Sequence, residues 1–151
     1  MPKTVEMIVS LKVPDTTAIT ALQTLQKIGF NKIKDVKRED YYKFLIEGDE
    51  KRFKEEICKV DILINANKNS CDFSIKKDNT TKILVKNIND DGTGLLSTLK
   101  NRLGFKNITK VEKAVLWSLA IDADEKEKLK IAEKAAKELL VNENYQEYQI
   151  L

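Results

Sequence analysis

Two pairs of adjacent carboxylates and one glycine motif have residue types and a spacing that could do chemistry. Glu55-Glu56 and Asp90-Asp91 carry the groups needed for acid–base catalysis or for a Mg²⁺ site. Neighbouring side chains on a helix surface or in a turn usually point into water, however, so both pairs are interpreted as solvated. Gly92-Thr93-Gly94 lacks the further glycines of a dinucleotide fingerprint and the Gly-Lys-Ser/Thr of a P-loop. We interpret it as a turn that leads into a helix.

The chain contains no histidine, which removes the commonest general base and all imidazole metal ligands. Its two cysteines, Cys58 and Cys71, have a spacing that fits no zinc or redox motif. The sequence predicts that both are free thiols in a reducing compartment. It also predicts no catalytic residue, no cofactor and no metal ion in this chain, so an enzymatic role would be that of a subunit.

The composition is that of a soluble globular protein. Of the 151 residues, 42% are hydrophobic and 34% are charged, and no apolar run approaches the ~20 residues of a membrane helix. The first residues lead directly into a strand-like pattern, without the apolar segment of a signal peptide. The expectation is a cytoplasmic protein with no membrane partner. A net charge of +3 without a clustered basic face also argues against a nucleic acid partner.

An internal repeat is the most informative feature of the sequence. A shift of 75 residues superimposes landmarks in the same order along both halves: Asp15 on Asp90, Gly29-Phe30 on Gly104-Phe105, Ile33 on Ile108, Val36 on Val111, and Asp49-Glu50-Lys51 on Asp124-Glu125-Lys126. Towards the end of each half the shift becomes 77, so that Asn65 meets Asn142. A polar, turn-like segment at 76–81 separates the halves. The sequence therefore predicts two domains, residues 1–77 and 78–151.

Each half is predicted to run strand, helix, strand, strand, helix, strand. In the first half, strands at 33–37 and 41–47 are predicted to be joined by a charged turn, Arg38-Glu39-Asp40. The second half repeats this pair of strands at 108–111 and 115–121. The βαββαβ order is that of ferredoxin-like units with antiparallel sheets. The predicted fold class is α+β, and two such units on one chain are expected to form an internal pseudo-dimer.

Apolar residues at helical spacing predict which helix faces are buried. The predicted inward residues are Ile19, Leu22, Leu25 and Ile28 in the first helix, Phe53, Ile57, Val60 and Ile64 in the second, and Leu129, Ala132, Ala136 and Leu139 in the last.

Four residues at repeated positions are the candidate contact residues: Asp15, Asp90, Asn65 and Asn142. Each aspartate precedes a predicted helix, where its carboxylate can accept hydrogen bonds from the first turn. Each asparagine follows a helix, where asparagine often caps in the left-handed conformation. Capping is the first role predicted for these residues, and contact with a partner protein is the second.

Aromatic residues stand at matched strand positions in the two halves. Tyr41-Tyr42 and Trp117 could stack on nucleic acid bases. The aromatic pattern of RNA-binding sheets, with its flanking glycine and basic residues, is missing from the sequence. Packing in a core or an interface is therefore predicted for these rings, and an RNA-binding sheet is kept as an alternative.

The ends of both halves resemble a known family. Residues 139–150, Leu-Leu-Val-Asn-Glu-Asn-Tyr-Gln-Glu-Tyr-Gln-Ile, are similar to the C-terminal "LLaNPviEdYei" signature of the PurS family. Asp15 and Asp90 each stand fourteen residues before a Gly-Phe, as in the first helix segment of that family. Asp35-Val36-Lys37 fits the family's "dVr" strand, whereas the Gly-Lys hairpin that follows it is Glu39-Asp40 here. The resemblance covers nearly all of both halves, as a tandem duplication of one family unit.

PurS is the small subunit of phosphoribosylformylglycinamidine synthase in purine biosynthesis. The resemblance implies a non-catalytic subunit that couples the glutaminase subunit to the large ATP-dependent synthetase subunit, so that ammonia passes between them. It leaves open whether the fused pair forms a further homo-oligomer. A tandem amino-acid-sensing domain of the ACT type is the other alternative, on fold analogy alone. Stabilisation by an amino acid would favour the sensing domain, and salt-dependent RNA binding would favour the RNA-binding sheet.

Overall fold

A computed structural model of the chain describes residues 2–60, 63–64, 69–75, 77–88 and 92–151. Its elements, in chain order, are β1 (Lys3–Leu11), α1 (Thr16–Lys27), β2 (Ile33–Ile46), α2 (Glu50–Ile57), β3 (Asn69–Asp72), β4 (Thr81–Asn87), α3 (Thr93–Ser97), β5 (Ile108–Ile121), α4 (Glu125–Ala135) and β6 (Gln146–Ile150). Two π-helical turns extend α3 and α4, at Thr98–Arg102 and Ala136–Leu140. The six strands form one sheet in the order β3-β1-β2-β5-β4-β6. This architecture confirms the predicted α+β class.

The chain divides into two compact units, and each unit contains segments from both halves of the sequence. The first unit comprises residues 1–12, 40–75 and 90–113, and the second comprises 13–39, 76–89 and 114–151. The long strands β2 and β5 are therefore shared between the units. The predicted domains 1–77 and 78–151 do not coincide with these compact units, and as repeats of the sequence they remain a prediction.

The first unit has a four-stranded sheet formed by β3, β1, the second part of β2 and the first part of β5. β1 pairs antiparallel with both of its neighbours. At the end of β2, the Glu47 N–H donates to the Asn107 carbonyl oxygen at 2.9 Å. The core joins Val5, Met7 and Val9 of β1 to residues of α2, α3 and β5, among them Phe53, Ile57, Leu99, Phe105 and Ile108.

The second unit repeats this plan with the roles of the two halves exchanged. Its sheet contains β6, β4, the second part of β5 and the first part of β2, and β4 pairs antiparallel with β5 and β6. The Asp122 N–H donates to the Lys32 carbonyl oxygen at 2.8 Å. This bond is the counterpart, 75 residues along, of the Glu47–Asn107 bond. The core packs α1 and α4 against the strands, through Ala18, Ala21, Leu25, Ile83, Val85, Leu119, Ala132 and Ala135 among others.

Each unit is consistent with a ferredoxin-like sheet of four strands, but the predicted hairpins within each half are wrong. β2 and β5 are each one continuous strand of 14 residues. Arg38-Glu39-Asp40 contains no Gly or Pro, and Asp40 lies opposite Val9 in the β1–β2 pair. The Arg38 Nε also lies 3.1 Å from a carboxylate oxygen of Asp15. The positive charge of Arg38 is therefore paired while the residue stays in the strand, and no turn is needed. The two predicted strands exist as the two parts of β2, one in each unit.

The inward faces of the helices are only partly as predicted. Phe53, Ile57, Val60 and Ile64 are all buried, as predicted, but the helix ends at Ile57, so the last two lie beyond it. In α1, however, Ile19 and Ile28 are exposed, and the buried residues are Ala18, Ala21 and Leu25. In α4 and its π turn, Leu129 and Leu139 are exposed, whereas Ala132, Ala135, Ala136 and Leu140 are buried. Alanines therefore make up most of the buried faces of both helices.

The prediction of two free thiols is also wrong. Cys58 and Cys71 form a disulfide, with their Cα atoms 6.3 Å apart. Cys58 is the residue that ends α2, and Cys71 lies in β3. The chain returns beside the end of the helix after thirteen residues, and this proximity in space is not visible in the spacing of the sequence.

Candidate functional site

The second unit contains both of the predicted site residues that the structure describes. Asp15 stands directly before α1, and Asn142 stands two residues after the π turn that ends α4. The other two predicted site residues, Asp90 and Asn65, lie outside the described part of the chain. The candidate site is therefore built around Asp15 and Asn142.

Asp15 caps α1, as predicted. Its carboxylate oxygen Oδ1 accepts hydrogen bonds from the Thr17 and Ala18 N–H groups, at 3.0 and 3.3 Å. The guanidinium of Arg38 binds both carboxylate oxygens, with Nε 3.1 Å from Oδ2 and the second contact at 3.4 Å from Oδ1. This ion pair could not be predicted, because Arg38 had been assigned to a turn. It fixes the start of α1 on β2.

Asn142 organises the loop between α4 and β6. Its carbonyl oxygen accepts hydrogen bonds from the Tyr145 and Gln146 N–H groups, at 3.1 and 2.8 Å. Its side-chain Oδ1 accepts from the Asn144 N–H at 3.1 Å, and its own N–H donates to the Gln146 side chain at 2.9 Å. The predicted helix cap is not found at Asn142, because Val141 is the C-cap residue and the hydrogen bonds of Asn142 lie within the loop. The left-handed conformation is not found either, since no described residue other than glycine has a positive φ.

A groove lies between these two residues on the surface of the second unit. It has a volume of about 410 Å³ and is lined by Thr16, Thr17, Thr20, Ala21 and Thr24 of α1, Trp117 of β5, and Leu139 and Leu140 of α4. Asp15 directly precedes the first lining residue. Asn142 follows the last of them by two positions. We call this feature the α1–α4 groove.

The α1–α4 groove continues into a more polar depression along the α4–β6 loop. The depression shares Leu139 and Leu140 with the groove and runs through Asn142 to Gln146. The side chain of Gln146 donates to Asn87 at 3.0 Å and thereby anchors the loop to β4. An apolar groove with a polar, hydrogen-bonded rim is typical of a surface that contacts another protein.

The groove has the chemistry of contact rather than of catalysis. Its walls offer threonine hydroxyls, methyl groups and one indole ring, and no acidic or basic side chain lines it. Within the described residues, no cluster of three or more cysteine, aspartate or glutamate side chains could hold a metal ion. Of the predicted carboxylate pairs, Glu56 binds the Nε of Arg52 at 3.0 Å on the exposed face of α2, and Asp90-Asp91 lies outside the described residues.

The aromatic side chains at matched strand positions are buried, as the packing prediction required. Tyr41, Tyr42 and Trp117 are at most 8% exposed. Burial raises the pKa of Tyr42 to about 12, with a smaller contribution from the Asp40 carboxylate. The pKa of Tyr41 is raised further, first by burial and then by the hydrogen bond that its hydroxyl donates to Glu6 at 2.6 Å. None of these rings is free to stack on a nucleic acid base.

None of the described helices has the length and apolar character needed to cross a membrane.

A comparison with curated protein sequences finds no match. A comparison with protein-family models finds one family whose model matches residues 83–151, almost the whole of the second half of the chain. The model is that of PurS, described as phosphoribosylformylglycinamidine (FGAM) synthase. The matched segment contains Trp117, Leu139, Leu140 and Asn142, and so it includes the β5 and α4 walls of the α1–α4 groove.

Proposed function

We propose that the protein is a non-catalytic subunit of phosphoribosylformylglycinamidine synthase in purine biosynthesis, on the basis of the PurS family model that matches residues 83–151. Its role is to couple the glutaminase subunit to the large ATP-dependent synthetase subunit. The family match carries the proposal. Within it, the protein acts in the cytoplasm and needs no cofactor of its own.

We also propose that the first half of the chain is a second unit of the same family. β2 and β5 have the same length and are offset by 75 residues. Asp49 and Asp124, offset by the same number, both cap the helix that follows through their side chains. Gly29 and Gly104, offset likewise, both have a positive φ. These matched details support a duplication over the whole chain.

The α1–α4 groove is our proposed contact surface for one partner subunit. Leu139 at its wall is 38% exposed, and Ile19 on α1 is 46% exposed, although helical spacing predicted both for the core. Apolar side chains that the fold leaves in solvent are typical of protein contact surfaces. Asp15 and Asn142 hold the two ends of this surface in place, and direct contact of their side chains with the partner remains part of the proposal.

Reconstitution of the complete reaction tests the proposed function. The large subunit and the glutaminase subunit are assayed for amidine formation with glutamine, with and without this protein, and separately with free ammonia. We expect glutamine-dependent formation to need the protein and ammonia-dependent formation to need it much less, because the protein couples two active sites. Full glutamine-dependent activity without the protein would contradict the proposal.

Three substitutions test the proposed contact surface. Thr20→Arg and Leu139→Arg place a long charged side chain in the groove, and Glu133→Arg places one on the exposed face of α4 as a matched control. We expect the two groove variants to lower partner affinity at least about tenfold, as loss of a central contact does. The control should bind like the unmodified protein. Equal affinities for all three variants would remove the groove from the interface.

A further inference from the structure

We propose that the Cys58–Cys71 disulfide is a reversible redox clasp that holds the edge strand β3 on the first unit. This inference does not depend on the proposed function. It concerns a bond that the sequence did not predict and for which assembly with other subunits has no evident use.

The two cysteines connect the end of α2 to the edge strand β3. Cys58 ends α2, and Cys71 lies opposite Val9 in the β1–β3 pair. Beyond the strand, the Phe73 ring lies 5.4 Å from the Nζ of Lys54 on α2. Both cysteines are half-buried against the core of the first unit. The proposal includes access of a small thiol to the disulfide without unfolding of the unit.

β3 is short and lies at an edge of the sheet. It has four residues, none of them buried, and it stands first in the strand order, so that it pairs with β1 alone. An edge strand this short contributes little stability of its own. A bond that closes a loop of thirteen residues restricts the unfolded chain and so favours the docked strand.

The second unit provides an internal comparison. Its edge strand β6 occupies the equivalent place beside β4 and has five residues. Tyr148, which corresponds to Cys71 at the shift of 77, packs with Ile150 against the core of that unit. Cys71 and Phe73 pack against the first core in the same way, so the disulfide is an additional link that β6 does not have. Only β3 should respond to a change in redox conditions.

The exchange reaction requires a disulfide oxidant of low molecular weight, such as oxidised glutathione. The thiolate of one cysteine attacks a glutathione sulfur, which forms a mixed disulfide and releases one glutathione thiolate. The second cysteine thiolate then attacks the protein-bound sulfur and releases the other glutathione thiolate. The protons lost by the two cysteines are taken up by the released thiolates. Two protein thiols and one glutathione disulfide become one protein disulfide and two glutathione thiols.

The test compares amide hydrogen exchange of the full-length protein in reduced and in oxidised glutathione, with thiols counted by alkylation and mass spectrometry. We expect two thiols to appear together on reduction and to disappear on reoxidation. Amides of β3 should exchange roughly tenfold or more faster in the reduced protein, because the strand then opens locally. Amides of β6 should be unchanged. Equal exchange of β3 in both states would overturn the proposal, and so would reduced protein that does not reoxidise.

A Cys71→Ser variant gives a second, independent reading. In oxidising buffer its β3 amides should exchange as fast as those of the reduced natural protein. Exchange as slow as in the oxidised natural protein would show that the bond does not hold the strand. Should the variant fail to fold, the reversible comparison on the natural protein still decides the matter. Faster exchange of β3 and β6 together on reduction would contradict a local clasp.

Discussion

Gly92 is the glycine whose missing side chain the fold requires. It has a φ of 79° directly before α3, and a Cβ atom there would overlap the carbonyl oxygen of Val111. Gly94, two residues on, has open space around its Cα. The glycine motif could have suggested a phosphate loop. Its first glycine instead allows a close contact between the start of α3 and the strand β5.

Gly92→Ala should lower the free energy of unfolding by about 2 kcal/mol or more, because it adds both a clash and a strained backbone. Gly94→Ala is the matched control and should be neutral or stabilise by up to about 1 kcal/mol. Urea denaturation of the two variants gives both values. Equal stability of the two variants would show that the contact with Val111 is not needed.

Asp15 combines two roles that two substitutions can separate. Asp15→Asn keeps an oxygen for the Thr17 and Ala18 N–H groups but removes the charge that binds Arg38. Asp15→Ala removes both. We expect Asp15→Ala to cost about 1–2 kcal/mol of stability and Asp15→Asn clearly less, since asparagine is an equally good cap. Thermal unfolding measures both, and an equal loss in the two variants would show that the ion pair outweighs the cap.

The raised pKa of Tyr42 predicts a loss of stability at high pH. Between its ordinary value of 10 and its folded value of about 12, the unfolded state has released a proton that the folded state keeps. The free energy of unfolding therefore falls as pH rises through this window, by at most about 1.4 kcal/mol per pH unit for this group. Below pH 10 its contribution is complete. Tyr42→Phe should make the decline shallower in urea unfolding at a series of alkaline pH values, and an unchanged decline would contradict this assignment.

At the scale of elements, the two units build their cores from different residues. The core of the first unit contains large side chains, and the rings of Phe44, Phe53 and Phe105 meet edge to face. The second unit instead buries five alanines of α1, α4 and the π turn that extends α4. A core lined by alanines leaves little room for added volume.

Ala135→Leu should therefore lower the free energy of unfolding by about 1–3 kcal/mol through overpacking. Glu133→Leu adds the same side chain on the exposed face of the same helix and serves as the control. We expect it to change stability by less than about 0.5 kcal/mol. Calorimetric unfolding of both variants makes the comparison, and similar losses would show that α4 does not pack closely through Ala135.

Most single elements could be predicted from the sequence, because their signals are local. Asp15 before α1 and the stripe of Phe53 and Ile57 in α2 are examples. The continuity of β2 could not be predicted, since three charged residues resemble a turn unless the partner of Arg38 is known. The disulfide could not be predicted either, because it depends on the proximity of Cys58 and Cys71 in space. The groove was missed because helical spacing assigned Leu139 to the core, whereas the buried face of that helix is formed by alanines.

At the scale of the whole molecule, neither half of the sequence contains a complete core. The first core needs Leu99, Phe105 and Ile108 from the second half, and the second core needs Ala18, Ala21 and Leu25 from the first half. Exchange of identical elements between two copies is a known route to a dimer. Here the segments that complete each core come from the other half of the same chain.

The separated halves, 1–77 and 78–151, should therefore be unfolded or molten alone and should fold together when mixed at equal concentrations. Circular dichroism and the dispersion of amide NMR signals report folding, and size-exclusion chromatography reports association. A single half that unfolds cooperatively without the other would contradict this exchange of core segments between the halves. Halves that stay unfolded after mixing would show that the covalent connection is needed.

The exchange of core segments between the halves also determines when each part of the protein can become stable during synthesis on the ribosome. The first core is complete only after the segment 90–113 has been made, although it begins with β1. The helix α1 waits longer, because Ala132, Ala135 and Val141, which belong to the same core, lie far along the second half of the chain. Contacts so distant along the chain form slowly. Until then the apolar face of α1 is open to chaperones and to other nascent chains, and two chains made side by side can exchange the same helix with each other.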